Sequence, residues 1–177
     1  SGLNLTISSG EKIVISGFNG IGKSTLIKTL LGQLNPLDGK CRLSDKIKVG
    51  YYEQGLKWEN ADSTPMQVVA DAFPNMSEKE IRASLSKCAV SSEHAKQAVG
   101  TLSGGEQAKV KLCLLTLSPC HMLIMDEPTN HLDEQAKQSL KEALKSFDGS
   151  LLLVSHEKAF YENFADGVVD ITKCLQK

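Results

Sequence analysis

The sequence has no apolar run long enough to cross a membrane, and no basic start followed by the apolar block of a secretory signal. It also has almost no excess charge, since 20 basic and 21 acidic residues give a formal net charge of -1. Such a balance provides no field that would by itself hold nucleic acid or an anionic membrane. We therefore expect a cytoplasmic protein with no transmembrane segment and no direct nucleic-acid patch.

Cysteine is sparse, odd in number and never arranged as a C-x-x-C pair. The five residues are Cys41, Cys88, Cys113, Cys120 and Cys174. Their scatter favours small hydrophobic side chains in a reducing cytosol over a metal site. At 177 residues the chain fits one domain, or one core with a small lobe, and it contains no internal repeat or low-complexity stretch.

Short apolar runs alternate with helical periods along the chain, which predicts an α/β fold with a mainly parallel sheet and helices on its faces. Residues 40–43 and 47–52 are the exception, because they predict a small antiparallel pair around Ser44 and Asp45. The predicted strands of the main sheet are 12–16, 122–125, 151–154 and 168–171. The predicted helices that flank the sheet are 23–31, 134–147 and 157–164. A further, longer helix is predicted to begin after Gly105 and to end at Pro119.

Residues 60–100 have no strand signal and predict a compact helical lobe. Thr64 and Pro65 have the pattern of an N-cap followed by proline at the first helical position. Ser77 to Glu80 form a capping box, and Ser91 or Ser92 begins a third short helix. The expected organisation is a single domain, residues 1–177, with a core of residues 1–59 and 101–177.

A glycine-rich turn between the first strand and the first helix matches G-x-x-x-x-G-K-[ST]. Its glycines allow successive backbone N–H groups to point at phosphate, and the helix N-terminus adds partial positive charge. Lys23 supplies a full charge between β- and γ-phosphates, and Ser24 offers a hydroxyl to Mg²⁺. The predicted ATP-binding residues of this loop are Gly17, Asn19, Gly20, Gly22, Lys23, Ser24 and Thr25.

Asp126 and Glu127 end the apolar run Met122 to Met125. Ligand sites in open parallel sheets lie at such carboxyl ends. We expect Asp126 to hold Mg²⁺ and Glu127 to act as the general base toward water. Since adjacent strand residues point to opposite sides, the two can divide these roles only where the strand is ending.

A second anion-binding helix start lies at residues 102–107, where Ser103, Gly104 and Gly105 precede a long apolar-periodic helix. One phosphate loop already suffices for one β-phosphate. A second anion-binding helix start therefore indicates contact with the γ-phosphate of an ATP molecule that is not bound to this phosphate loop.

These motifs come in the order of an ATP-binding-cassette nucleotide-binding domain, which the chain resembles over essentially its whole length. The ordered set comprises the phosphate loop 17–25, a glutamine loop at Gln54, the LSGGEQ signature 102–107, the acidic strand 122–127, the D-loop 129–133 and a switch histidine at His156. The resemblance implies a P-loop nucleoside-triphosphatase fold and ATP hydrolysis with Mg²⁺.

The resemblance also implies roles for single residues. Gln54 contacts Mg²⁺ and the attacking water, and His156 orients that water beside Glu127. Ser103 to Gly105 contact ATP on a facing cassette, and Asp133 with its neighbours bridges the two cassettes. The alternative is that Gln54 is an ordinary polar residue at a strand end.

Two segments resemble the ABC-F branch, whose members carry two cassettes in one chain and act on the ribosome. They are EPTNHLD at residues 127–133 and SHEKAF at residues 155–160, the latter with conservative departures at Glu157 and Lys158. The resemblance implies a second cassette as partner and a role as translation factor or in antibiotic resistance. Ribosome contact would use regions absent here.

The chain departs from this pattern in three ways. It has one phosphate loop, it has no helical hairpin of the kind that links two cassettes, and no aromatic residue precedes Phe18 to stack on adenine. We therefore expect an excised C-terminal cassette in which adenine binding is less defined than phosphate binding. An energy-coupling subunit of a membrane transporter and a nucleotide-gated binding module remain the alternatives.

Overall fold

The computed structural model describes residues 3–18, 20–52, 58–130 and 132–175, with side chains described as far as residue 173. It divides the chain into two compact units. The sheet unit comprises residues 1–54, 120–128 and 147–177, and the helical unit comprises residues 55–119 and 129–146.

A parallel sheet organises the sheet unit, as the sequence predicts. Its strands are β1 (Lys12–Ser16), β2 (Val49–Tyr52), β3 (Met122–Asp126), β4 (Ser150–Val154) and β5 (Gly167–Asp170). They lie in the order β2-β3-β4-β1-β5, and all four pairings are parallel. The helices of this unit are α1 (Lys23–Leu30), α6 (Lys158–Tyr161) and α7 (Thr172–Leu175).

The core of the sheet unit lies along its central strands. Every residue of β3 and β4 is buried, as expected for strands covered on both faces. Ile27 of α1 is fully buried in the same cluster as Ile13, Ile15, Ile124 and Leu152. This packing fixes α1, and with it the loop that precedes α1, relative to the carboxyl ends of the strands.

The predicted antiparallel pair is wrong. Residues 40–43 form no strand, and β2 pairs in parallel with β3, with Val49 opposite Met122 and Tyr52 opposite Met125. Pairing with the fully buried β3 buries Tyr52, whereas Leu37 and Ile47 are exposed. An isolated two-stranded pair with so little apolar surface to bury is only marginally stable.

The helical unit contains the predicted lobe and two further helices. Its helices are α2 (Pro65–Ala72), α3 (Glu78–Lys87), α4 (Gly104–Leu117) and α5 (Glu134–Ser146). Thr64 and Ser77 form the capping boxes of α2 and α3. In place of the predicted third lobe helix there are two short 3-10 helices, His94–Lys96 and Val99–Thr101.

Cys88 and Cys113 are buried side chains of this unit, in keeping with the predicted role of cysteine as a small hydrophobe. Within the part of the chain that the structure describes, no helix combines the length and apolar character needed to cross a membrane.

Candidate functional site

The loop between β1 and α1 has the backbone of a phosphate-binding turn. Gly20 and Gly22 have φ angles of 84° and 103°, in the left-handed region that L side chains rarely adopt. Gly22 is the N-cap of α1, and no side chain caps the helix start there. A helix start of this kind, with glycine at the N-cap, is a favourable place for an anion. Thr25 is exposed on the first turn, and Asn19 lies outside the described residues.

Lys23 places a buried ammonium under this loop. The residue is 7% exposed, and its Nζ donates to the carbonyl oxygens of Gly17 at 2.7 Å and Phe18 at 3.2 Å. The same Nζ lies 3.6 Å from Oε1 of Glu127. A buried cation held by two carbonyls and one carboxylate attracts anions to the loop.

Ser24 and Asp126 bring two oxygen ligands together. The Ser24 hydroxyl donates to Oδ2 of Asp126 at 2.6 Å, and Asp126 is the last residue of β3. Burial raises the pKa of Asp126, the Ser24 hydrogen bond opposes the rise, and the Glu127 charge adds to it. The surroundings of this carboxylate therefore disfavour its negative charge, and a bound cation would compensate that charge.

Glu127 turns out of the sheet immediately after β3. Its φ is 47°, a left-handed conformation that is unusual for a residue other than glycine, and its N–H donates to the Val154 carbonyl at 2.9 Å. The turn sends the side chain to Lys23 through Oε1 and to His156 through Oε2. Oε1 is buried and has no hydrogen-bond partner among the described residues.

His156 follows β4, one residue after the strand. Its Nδ1 lies 2.9 Å from Oε2 of Glu127, and its side chain is 52% exposed against 5% for Glu127. Ser155, which is fully buried, donates its N–H to Ile15 and accepts from the N–H of Glu157. These bonds fix the chain around His156 between the ends of β4 and β1.

The carboxyl ends of three neighbouring strands thus hold the predicted site residues of the sheet unit, as open parallel sheets do. The described contacts join Lys23, Ser24, Asp126, Glu127 and His156. Oxygen ligands from Ser24 and Asp126 fit Mg²⁺, which prefers such ligands. The glycine loop and Lys23 fit a phosphate chain. Gln54, predicted as a further ligand, lies outside the described residues.

The residues predicted to contact a facing cassette belong to the helical unit. Ser103 is the N-cap of α4, and its Oγ accepts the N–H of Glu106 at 3.3 Å. Gly104 and Gly105 are the first two residues of that helix. Asp133 accepts the N–H of Ala136 at the start of α5. Short side chains at the start of α4 leave its N-terminus open to an anion.

Sequence reasoning missed Lys109, a buried lysine of α4 that lies between Glu106 and Asp133. Its spacing of three residues from Glu106 on a helix could have indicated the first pairing. No local pattern could have indicated the second.

Comparisons of the sequence with known proteins agree on one family. The sequence model described as "ABC transporter" matches residues 1–130. The chain is 48% identical over 163 residues to the uncharacterised ABC transporter ATP-binding protein YfmM of Bacillus subtilis, covering 92% of this chain and 31% of that protein. It is 35% identical over 176 residues to ABC transporter F family member 5 of Arabidopsis thaliana, covering 98% of this chain and 25% of that protein. The chain thus spans about a quarter to a third of these relatives.

Solved structures share the fold. A model of ribosome-bound archaeal Pelota and ABCE1 matches with a TM-score of 0.74 at 25% identity, over 93% of this chain and 28% of that one. The dimeric post-hydrolysis structure of the ATP-binding cassette MJ0796 with ADP and Pi matches with a TM-score of 0.74 at 22% identity, over 95% of this chain and 84% of that one.

Proposed function

The chain belongs to the ABC transporter family, and on that premise we propose that it is the ATP-binding and ATP-hydrolysing cassette of a paired, F-type protein that acts on the ribosome. Its relatives include F-family members. The relatives are three to four times as long as this chain, which is consistent with a second cassette in the same protein.

One observation carries the hydrolytic part of the proposal. Glu127 has one carboxylate oxygen against Lys23 and the other against His156, while the preceding residue, Asp126, holds the Ser24 hydroxyl. A phosphate-loop lysine, an Mg²⁺-type oxygen pair, a buried carboxylate and a histidine are the parts that phosphoryl transfer to water requires.

The two oxygens of Glu127 divide the work in this proposal. Oε2 is engaged by the histidine ring, which fixes the carboxylate plane. Oε1 accepts no hydrogen bond among the described residues, so it retains the lone pairs that a general base needs. Lys23, at 3.6 Å, places a positive charge beside this oxygen.

MgATP, when bound, supplies the phosphoryl group and a divalent charge. Lys23 and the loop glycines would bind its phosphates, and Ser24, Asp126 and the predicted Gln54 would hold the metal. Ser103, Gly104 and Gly105 would contact ATP that a facing cassette holds. The dimeric cassette MJ0796, which shares this fold, was solved with ADP and Pi and supports pairing as the working state.

The ribosomal part of the proposal rests on the EPTNHLD and SHEKAF segments, on the F-family relatives and on the fold shared with a ribosome-bound ABCE1. It is therefore a separate claim from hydrolysis and needs its own experiment.

Hydrolysis is tested by steady-state release of phosphate from MgATP by the full-length protein. We expect Glu127→Gln to lower kcat by about 100-fold or more, since a positioned general base contributes roughly 10²–10⁴-fold. Glu134→Gln is the control, because Glu134 is 94% exposed at the start of α5. Equal rates in Glu127→Gln and wild type would make the general-base assignment wrong.

Ribosome action is tested with the same Glu127→Gln protein, which binds ATP and cannot consume it. We expect it to co-sediment with ribosomes in MgATP and to be released in ADP. Co-fractionation with membranes and absence from ribosomes would favour the energy-coupling subunit instead. Unchanged ribosome binding with or without nucleotide would contradict ATP control of this partner.

A further inference from the structure

Lys109 is a buried ammonium of the helical unit that lies between two carboxylates from different elements. Its side chain is 6% exposed, and its Nζ lies 3.3 Å from Oε1 of Glu106 and 3.4 Å from Oδ2 of Asp133. Burying a charge without a partner is strongly unfavourable, so these carboxylates define where the ammonium can lie.

The first carboxylate connects Lys109 to the signature serine. Oε2 of Glu106 accepts the hydroxyl hydrogen of Ser103, and Oγ of Ser103 in turn accepts the N–H of Glu106. His94 lies on the same carboxylate, with its Nδ1 3.8 Å from Oε1. The direction of the Ser103 hydroxyl is therefore set by a carboxylate whose charge Lys109 balances.

The second carboxylate connects Lys109 to the end of the D-loop. Asp133 is the last residue of the EPTNHLD segment, and its Oδ1 accepts the N–H of Ala136 at 2.7 Å as α5 begins. The starts of α4 and α5 are thus both connected to one lysine.

We propose that Lys109 is a positioning residue for the ATP of a facing cassette. This inference rests on the proposed function, because it assigns Ser103 a trans ATP. Lys109 holds the Ser103 hydroxyl and Asp133 in one arrangement and offsets the negative charge of Glu106 beside the anion-binding start of α4. Without Lys109, the uncompensated Glu106 carboxylate would repel an approaching γ-phosphate.

The inference predicts a separation between binding and turnover. ATP bound to the phosphate loop uses the sheet unit, so Lys109→Met should leave the affinity of the single cassette for MgATP unchanged within about twofold. We expect kcat of the full-length protein to fall by about tenfold or more, because the lost interaction acts on the paired state. Lys109→Arg, which keeps the charge, should recover most of the rate.

A double-mutant cycle tells positioning from a general loss of structure. Ser103→Ala should lower kcat in the wild-type background and have little further effect in Lys109→Met, because both changes disrupt the same set of interactions. Lys145→Met is the matched control, because Lys145 pairs with Glu142 three residues away on α5 and is 38% exposed. Additive effects of Ser103→Ala and Lys109→Met would overturn the proposal.

A second readout does not depend on hydrolysis. In the Glu127→Gln full-length protein, MgATP should hold the two cassettes together, and Lys109→Met should abolish that association when it is measured by cross-linking between the cassettes. If Lys109→Met does not fold, Glu106→Gln/Lys109→Met removes both charges and is expected to fold. Its association should be weakened rather than abolished, because the repelling carboxylate is gone but Ser103 and Asp133 have lost their common partner, and association equal to wild type would overturn the positioning role.

Different results would overturn the positioning role of Lys109 and the proposed function. Wild-type association and kcat in Lys109→Met, together with loss of hydrolysis in Glu127→Gln, would overturn the positioning role alone. If the wild-type full-length protein neither binds nor hydrolyses ATP, the proposed function fails and the positioning role fails with it.

Discussion

Nδ1 of His156 lies 2.9 Å from Oε2 of Glu127, although the two residues follow different strands. Glu127 is buried and follows β3, whereas the histidine is half exposed and follows β4. With its proton on Nδ1, the ring donates to the carboxylate and leaves Nε2 as an acceptor. The pair therefore joins a buried carboxylate to a half-exposed imidazole ring.

His156→Asn and His156→Gln separate the two ring nitrogens. An asparagine amide can reproduce the Nδ1 donor to Glu127, while a glutamine amide reproduces the position of Nε2. We expect His156→Ala to lower kcat by about 10–100-fold, a loss typical of a removed orienting partner. His156→Asn should retain more activity than His156→Gln. The reverse order in phosphate-release assays would show that the Nε2 side carries the function.

We expect the buried Asp126 carboxylate to lower the stability of the ligand-free protein while it serves metal binding. Because burial raises its pKa, the folded chain binds this proton more readily than the unfolded chain does. Stability is therefore lost as pH rises from the ordinary aspartate pKa of about 4 through the raised value. Asp126→Asn should stabilise the ligand-free protein at pH 7, with Tm rising by about 2–4 °C for each kcal/mol gained. The gain should vanish below about pH 4.

Asp170→Asn is the control of opposite sign for this measurement. The Thr172 hydroxyl and N–H hold the pKa of Asp170 below its ordinary value. Its ionised form therefore stabilises the fold above the ordinary pKa, and that contribution is lost as pH falls through the lowered one. Thermal melts from pH 3 to pH 8 should show Asp126→Asn gaining and Asp170→Asn losing at neutral pH. A lower Tm for Asp126→Asn at pH 7 would contradict the burial argument.

The convergence of Lys23, Ser24 and Asp126 could be predicted from sequence because each lies next to a strong local pattern. The glycine loop fixes Lys23 and Ser24 at the start of a helix, and the apolar run before Asp126 fixes that residue at a strand end. Parallel strands bring their carboxyl ends to one edge, so these patterns together imply proximity.

Other features depend on contacts that no local pattern records. The parallel pairing of β2 depends on the buried β3, some seventy residues later, and four residues of strand do not specify a partner. Glu127 reaches both Lys23 and His156 only because its φ is 47°. Lys109 and Asp133 are 24 residues apart, and only the packing of α4 and α5 brings them together.

We expect Trp58, the only tryptophan of the chain, to stabilise the start of α4. Its Nε1 donates to Oε1 of Gln107 at 2.7 Å, and Nε2 of Gln107 donates to the Leu102 carbonyl at 2.9 Å. Trp58→Phe keeps an aromatic ring near the Lys111 ammonium, which lies 5.4 Å from the indole centroid, and removes the N–H donor together with part of the ring surface. We expect a loss of about 0.5–1.5 kcal/mol in urea unfolding followed by circular dichroism. Unchanged stability would mean that the hydrogen bond is replaced by water without cost.

Thr129 should tolerate the loss of its hydroxyl. The residue is 1% exposed, and its Oγ1 has no hydrogen-bond partner among the described residues. A buried hydroxyl without a partner costs free energy, so Thr129→Val, which keeps the shape, should leave the free energy of unfolding unchanged or raise it by up to about 1 kcal/mol. Thr116→Val is the comparison at an exposed position, because the Thr116 hydroxyl donates to the Cys113 carbonyl at 2.9 Å and its removal should cost about 0.5 kcal/mol. An equal loss in both variants would show that Oγ1 of Thr129 is hydrogen-bonded in solution, and would place an ordered water beside it.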